Sequence, residues 1–235
     1  MLNPHSIAFK LLLSMSRLLH PCPAFLMVVL LFTFLLSACG EQEAFQAYER
    51  GKHALVRNRL QDALSQFDKA IELDSTFAQA HLARGQVYWR QHQYEQALPS
   101  LSRAIELDPH LSWGYYLRGA SLIGLERYEQ SLADFEHFLA SDKAEDDDRV
   151  RAHRWRGIAL LNLERPHDAI AEFTACIRIQ PDLAFHRKER AHIYEALGQL
   201  DKAIADYHAY MARTNPDTDD AQEVQQRLDS LRVLL

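Results

Sequence analysis

The chain has 235 residues, 48% of them hydrophobic and 25% charged, an ordinary globular composition that fits one or two domains. Eight glycines and eight prolines are too few for a disordered or turn-rich all-β chain. The formal net charge is −6; Lys10 and Arg17 are the only basic residues before position 39, so the remainder carries 24 basic against 32 acidic side chains, without the basic face that nucleic-acid phosphates require.

The first predicted element is a leader. Residues 24–38 (AFLMVVLLFTFLLSA) form an uncharged run of 15 residues. That is the length of a signal-peptide core and short of the roughly 20 needed to cross a bilayer as a helix. Arg17 and His20 precede the run, and no acid appears before Glu41. Translation from Met15 gives a leader of more usual length than translation from Met1, so residues 1–14 are expected to lie before the true start. The run ends in Leu36-Ser37-Ala38-Cys39. An uncleaved anchor with an incidental cysteine is the alternative, and the short run argues against it. The stretch resembles the lipobox of bacterial lipoproteins. The resemblance implies cleavage after Ala38, a signal peptide over residues 1–38, lipidation of Cys39, and a short tether over 39–43. Gly40 stands where such lipoproteins carry the aspartate that retains them in the inner membrane. This implies the outer membrane of a Gram-negative cell, periplasmic face, with the inner membrane less favoured.

A repeat follows. Gly51, Gly85 and Gly119 are 34 apart, Gly157 follows after 38, and Ala191 after another 34. A second column holds Ala63, Ala97, Ser131, Ala169 and Ala203; four residues on lie Phe67, Leu101, Phe135, Phe173 and Tyr207. A third holds Ala70, Ala104, Phe138, Cys176 and Tyr210, and two blocks close on proline, at Pro109 and Pro181. The pattern resembles the tetratricopeptide repeat (TPR), which implies an all-α, right-handed α-solenoid of about five helix hairpins plus a C-terminal capping helix. Units are placed at 44–77, 78–111, 112–145, 150–183 and 184–217, with 146–149 inserted before the fourth. The cap is placed over 218–235, where Val224, Leu228 and Leu231 share one helical face. One hairpin cannot bury its own apolar stripe, so stability is expected from stacked neighbours.

The sequence departs from the family in two columns. Ala47, His81, Tyr115, His153 and Arg187 replace the usual tryptophan, and Arg50, Arg84, Arg118, Arg156 and Arg190 replace the leucine before the small residue. The arginines predict a ladder to acids of the second helix, such as Asp134, Glu172 and Asp206. Pro99, more than a turn into its helix, predicts a kink. The third unit lacks a closing proline, so its second helix is expected to run on or fray.

By the same resemblance, partner segments are bound on the concave face made by the first helix of each hairpin. The family's groove positions select Tyr48, Lys52, Trp89, Arg90, Trp113, Tyr116, Arg151, Arg154 and Lys188, together with Phe45, Gln79, Gln86 and His192. The early positions are aromatic and the later ones basic, which predicts a partner apolar at one end and acidic at the other. The carboxylate clamp of co-chaperone members is absent: Tyr48 and Lys52 stand at its first positions, followed by Ala83.

No catalytic motif, phosphate loop or CxxC pair occurs, and no two histidines share the i, i+4 spacing of a helical metal site. The sequence therefore predicts no enzyme, no cofactor and no metal. Cys176 reads as a small core residue, and the acids at 145–148 as a solvated linker and N-terminal charge of the next helix. The predicted function is a membrane-anchored, periplasmic scaffold or adaptor. Its partners are one or more proteins held in the TPR groove and the membrane held through lipid on Cys39, with no nucleic acid. Homo-oligomers are left open. An assembly factor or a pilotin for an outer-membrane complex is the alternative, and a cell-wall enzyme a more distant one.

Overall fold

The computed structural model describes residues 23–142 and 144–232. The expected n-region and the choice between Met1 and Met15 lie outside the described residues. Those residues form eleven α-helices and no strand. They are α1 (Pro23–Val56), α2 (Leu60–Leu73), α3 (Ala78–Arg90), α4 (Tyr94–Leu107), α5 (Ser112–Gly124), α6 (Tyr128–Leu139), α7 (Asp146–Asn162), α8 (Pro166–Ile179), α9 (Phe185–Ala196), α10 (Leu200–Met211) and α11 (Asp219–Arg232). Odd- and even-numbered helices up to α10 pair as hairpins, each stacked on the next, and α11 covers α10.

The sequence columns have a direct cause in each hairpin. A Cβ on Gly51 would lie 2.5 Å from the Phe67 ring, and one on Gly85 2.6 Å from Leu101. Gly119 stands in the same relation to Phe135, and Gly157 to Phe173. The missing side chain lets the first helix close onto the large residue sixteen positions later. Phe67, Leu101, Phe135, Phe173 and Tyr207 are all fully buried there. Neighbouring hairpins share these residues: Phe67 packs with Ala83 and Val87 of the next one. The cap is built the same way, with Ala221, Val224, Leu228 and Leu231 buried against Tyr207 and Tyr210.

The arginine column staples hairpins to each other as well as closing each one. Arg118 grips Asp134 with Nε and Nη2 (2.9 and 2.7 Å) and donates from Nη1 to Ser102 of the preceding hairpin (3.3 Å). Arg190 does likewise with Asp206 (2.7 and 2.8 Å) and Thr174 (2.8 Å). Arg84 reverses the balance, donating to Ser100 in its own hairpin (2.9 Å) and pairing with Asp68 in the one before (3.0 Å). Arg50 reaches the neutral Gln66, and Arg156 approaches Glu172 at 3.6 Å.

A second periodic device appears at the turn inside each hairpin. Asn58, His92, Glu126, Glu164 and Gly198 have φ between 57° and 70°, the left-handed region. At each, the next N–H bonds back to the carbonyl five residues earlier, as in Arg59 to Ala54 (2.9 Å) and Arg127 to Leu122 (2.8 Å). This is the Schellman closure, which usually places glycine at that position. Only the last of the five turns has one.

Two boundaries differ from expectation. Residues 39–43, expected as a tether, are a continuous part of α1; Gly40 disfavours helix, but Glu41, Gln42 and Glu43 favour it and no proline interrupts the stretch. The third hairpin neither runs on nor frays: α6 ends at Leu139, and the Asp146–Arg149 insert becomes the first turn of α7, with three acids at the positive end of the helix dipole. Helix α4 runs from Tyr94 to Leu107 with Pro99 inside it, on its exposed side.

Candidate functional site

The odd-numbered helices α1, α3, α5 and α7 touch in succession, whereas no two even-numbered helices are among the packed pairs of the described residues. Closer spacing along the odd helices curves the stack toward them, so they line its inner face. The selected groove residues lie on these four helices, except Lys188 and His192, which lie on α9.

At the first hairpin, Tyr48 packs its ring on Phe67 and Phe77 (centroids 5.9 and 5.0 Å). Lys52 lies 5.3 Å over the Tyr48 ring and pairs with Glu49 at 3.0 Å. Phe45, one turn earlier, is 51% exposed. Trp89 is half-buried against the central core, and Arg90 is exposed at the end of α3. Gln79 is exposed and Gln86 half-buried.

In the middle, Trp113 stacks on Tyr116 with centroids 4.5 Å apart and planes 7° apart. Tyr116 is buried, which raises its phenol above the ordinary value, so Trp113 presents the accessible ring of the pair. At the far end Lys188 is also buried: it pairs with Asp220 of the cap at 2.6 Å and lies over the Phe185 and Tyr210 rings. Burial works against the Lys188 charge and the bond to Asp220 outweighs it, raising its pKa. Lys188 therefore ties the cap to α9 and offers little of its charge to a ligand. His192 sits behind it, its ring 5.5 Å from Tyr207.

Between the middle and the end lies a concavity. The succession of touching odd helices stops at α7, and α9 is not packed on it to the same extent. A cleft of about 580 Å³ opens there, lined by Asp147, Val150, Arg151, Arg154, Ile179, the turn 180–183 and His186. The extra turn of α7 supplies one wall, because Asp147 on it accepts a hydrogen bond from Gln180. Arg151 is neutralised by Asp148 at 3.0 Å. Arg154 is not: among the described residues it has no hydrogen bond or ion pair, and its buried Nε lacks a partner. Its guanidinium is held over the rings of Phe185 (5.1 Å) and Trp155 (5.9 Å). His186 is 4% exposed and its Nδ1 has no partner either. Burial, and secondarily the Arg154 charge, push its pKa below the ordinary imidazole value. Leu183 on the turn is 48% exposed.

The selected residues Arg151 and Arg154 are thus brought together in one cleft, while Leu183 and His186 were not singled out from the sequence. The four-residue excess in the repeat spacing, which lengthens α7, signalled the facing wall but neither of these two side chains. Among the described residues no three His, Cys, Asp or Glu side chains converge as a metal site, and no helix is long and apolar enough to cross a membrane. Cys176 is fully buried, and burial pushes its thiol up to about 12.

A tetratricopeptide-repeat family model matches residues 48–112 and 116–184, and a second TPR model matches 189–210. The chain belongs to the tetratricopeptide-repeat family. No curated protein matches the sequence of this TPR chain significantly. Solved structures share its fold. YrrB, described as a TPR protein with an unusual peptide-binding site, is 22% identical over 78% of this chain and 92% of its own, with a TM-score of 0.68. MamA from Desulfovibrio magneticus RS-1 is 16% identical over 72% and 94%, with a TM-score of 0.66. Pseudomonas aeruginosa PilF is 18% identical over 83% and 86%, with a TM-score of 0.67. At these identities the likeness is one of fold. TPR proteins are in general protein-interaction scaffolds, and this chain has that architecture.

Proposed function

We propose that this TPR protein is a lipid-anchored periplasmic scaffold that holds a segment of a partner protein along its inner face. The observation that carries the reading is the presence on that face of both an accessible aromatic, Trp113 on α5, and a cation without a counterion, Arg154 on α7. Large aromatic rings and arginines dominate the energy of most protein interfaces. The peptide-binding site described for YrrB supports use of the fold in this way. The lipobox-like stretch at Leu36–Cys39 supports the anchor. Cleavage after Ala38 leaves α1 as residues 39–56, a helix that begins at the lipid. Several acyl chains hold a protein on a bilayer almost permanently, each buried methylene contributing about 0.8 kcal/mol. Gly40 in place of aspartate favours the outer membrane.

The test is in-cell crosslinking of the full-length protein followed by recovery of its adduct. Replacing Trp113 with alanine and Arg154 with glutamine together removes the adduct while far-UV circular dichroism stays unchanged. An adduct undiminished in the double variant contradicts the groove. Genomic neighbours separate an adaptor role from an assembly role for an outer-membrane complex, since the two differ in partner and share the anchor and the groove.

A further inference from the structure

We infer that the cleft between α7, the turn 180–183 and α9 is a seat for a carboxylate carried next to an aliphatic side chain on a partner segment. The inference deepens the scaffold reading and rests on it. Three features of the cleft combine. Arg154 is a cation pre-positioned by two aromatic rings and left without a carboxylate by the described residues. Of the other charges at the site, Arg151 pairs with Asp148 and Asp147 accepts from Gln180, which leaves Asp182 on the turn as the remaining anion. His186 is almost wholly buried with Nδ1 unpartnered, and it lines the same cleft. Buried polar atoms without partners are uncommon in native proteins, and a water or an incoming ligand group satisfies them.

The remaining walls fix the rest of the ligand. Val150, Ile179 and the half-exposed Leu183 form an apolar surface beside the guanidinium. A carboxylate accepts the guanidinium's hydrogens, and a neighbouring leucine- or valine-like side chain covers the apolar wall. A phosphate fits less well, because Asp147 and Asp182 stand at the rim and oppose a doubly charged group. Pairing with a weakly hydrated guanidinium in a partly desolvated cleft is where one carboxylate contributes most to recognition.

The test uses full-length protein in detergent micelles and three fluorescent peptides, read by anisotropy. One is Leu-Leu-Glu-Leu blocked at both ends, one Leu-Leu-Gln-Leu blocked likewise, and one Leu-Leu-Gln-Leu with a free C-terminal carboxylate. The blocked glutamate peptide is expected to bind at least about tenfold more tightly than the blocked glutamine peptide. The free-terminus peptide shows whether a terminal carboxylate substitutes for a side chain. Arg154→Gln should abolish the preference for acid, and Lys69→Gln, an exposed cation on α2, should leave it intact. Leu183→Ser, on an exposed turn, should weaken every carboxylate peptide several-fold and carries the test should Arg154→Gln unfold. Equal binding of the blocked glutamate and glutamine peptides, or an acid preference that survives Arg154→Gln, overturns the inference. Trp113→Ala separates it from the groove reading. Binding that depends on Trp113 without acid preference overturns the cleft alone, whereas acid preference with no role for Trp113 in capturing the cellular partner overturns the groove alone.

Discussion

Replacing Arg118 with methionine tests whether the arginine column holds the stack together. The Asp134 side chain is 5% exposed, and Arg118 meets both its oxygens, at 2.9 and 2.7 Å. Removing the guanidinium leaves a buried carboxylate without its counterion, a change that costs about 3–5 kcal/mol in comparable pairs. The Arg118 side chain is itself 26% exposed, so water can partly solvate the orphaned carboxylate, and about 3 kcal/mol is expected. For a chain of this size that lowers the melting temperature by about 6–12 °C. Arg84 provides the internal control. Its acid, Asp68, is 46% exposed, and Arg84→Met should cost no more than about 1 kcal/mol. Urea titration followed by circular dichroism compares the two, using midpoints because repeat arrays need not unfold in one step. The double variant Arg118→Met, Asp134→Leu should recover most of the loss, since an apolar pair replaces a buried ionic one at little cost. Equal midpoints for the two single variants would show that the buried Arg118–Asp134 pair holds the stack no more firmly than the exposed one.

Four other outcomes follow from the geometry. Glu126→Gly and Glu164→Gly, each relieving a non-glycine residue at φ of 57–58°, should raise stability by about 0.5–1 kcal/mol, while Gly198→Ala should lower it by about 1 kcal/mol; thermal melts decide. Gly51→Ala places a methyl 2.5 Å from the Phe67 ring and should cost about 1–3 kcal/mol despite the better helix propensity of alanine, a loss of urea midpoint that a neutral result would contradict. Cys176, buried with its thiol pushed up to about 12, should resist maleimide at pH 7–8 in the folded protein and react on unfolding, as mass spectrometry would record. His81, His186 and His192 are all held below the ordinary imidazole value of 6.5, chiefly by burial. The unfolded chain then binds more protons below about pH 6.5, so the urea midpoint should fall between pH 7 and pH 5.5; a rise would contradict the burial of these rings.

The repeat was legible because its determinants are local and fixed in spacing. Gly51 and Phe67, or Gly119 and Phe135, meet sixteen positions apart in every hairpin, so the contact leaves a column in the sequence. Arg118, Arg156 and Arg190 reach their acids at the same offset, and that ladder could be read for the same reason. Its second arm, from Arg118 to Ser102 and from Arg190 to Thr174, was hidden because hydroxyls in the preceding hairpin carry no obvious charge signal. The left-handed turn was illegible in four of five hairpins. Asn58, His92, Glu126 and Glu164 occupy it where glycine would have announced it, and tertiary stacking outweighs the local strain. The insert at 146–149 could be counted from the spacing, but its fate as a turn of α7 depended on helix packing. The cleft depends on how far α9 stands from α7, a quantity set by whole-hairpin stacking, so Arg154 could be selected as a groove residue without its isolation being visible.

The most direct test of the account is the intact mass of the protein recovered from cell membranes. The proposal predicts a chain that begins at Cys39 and carries a diacylglyceryl and an acyl group, and predicts that Cys39→Ser abolishes that species and releases the processed form from the membrane fraction. A membrane-bound protein that retains residues before Cys39, or begins there without fatty acid, would contradict it.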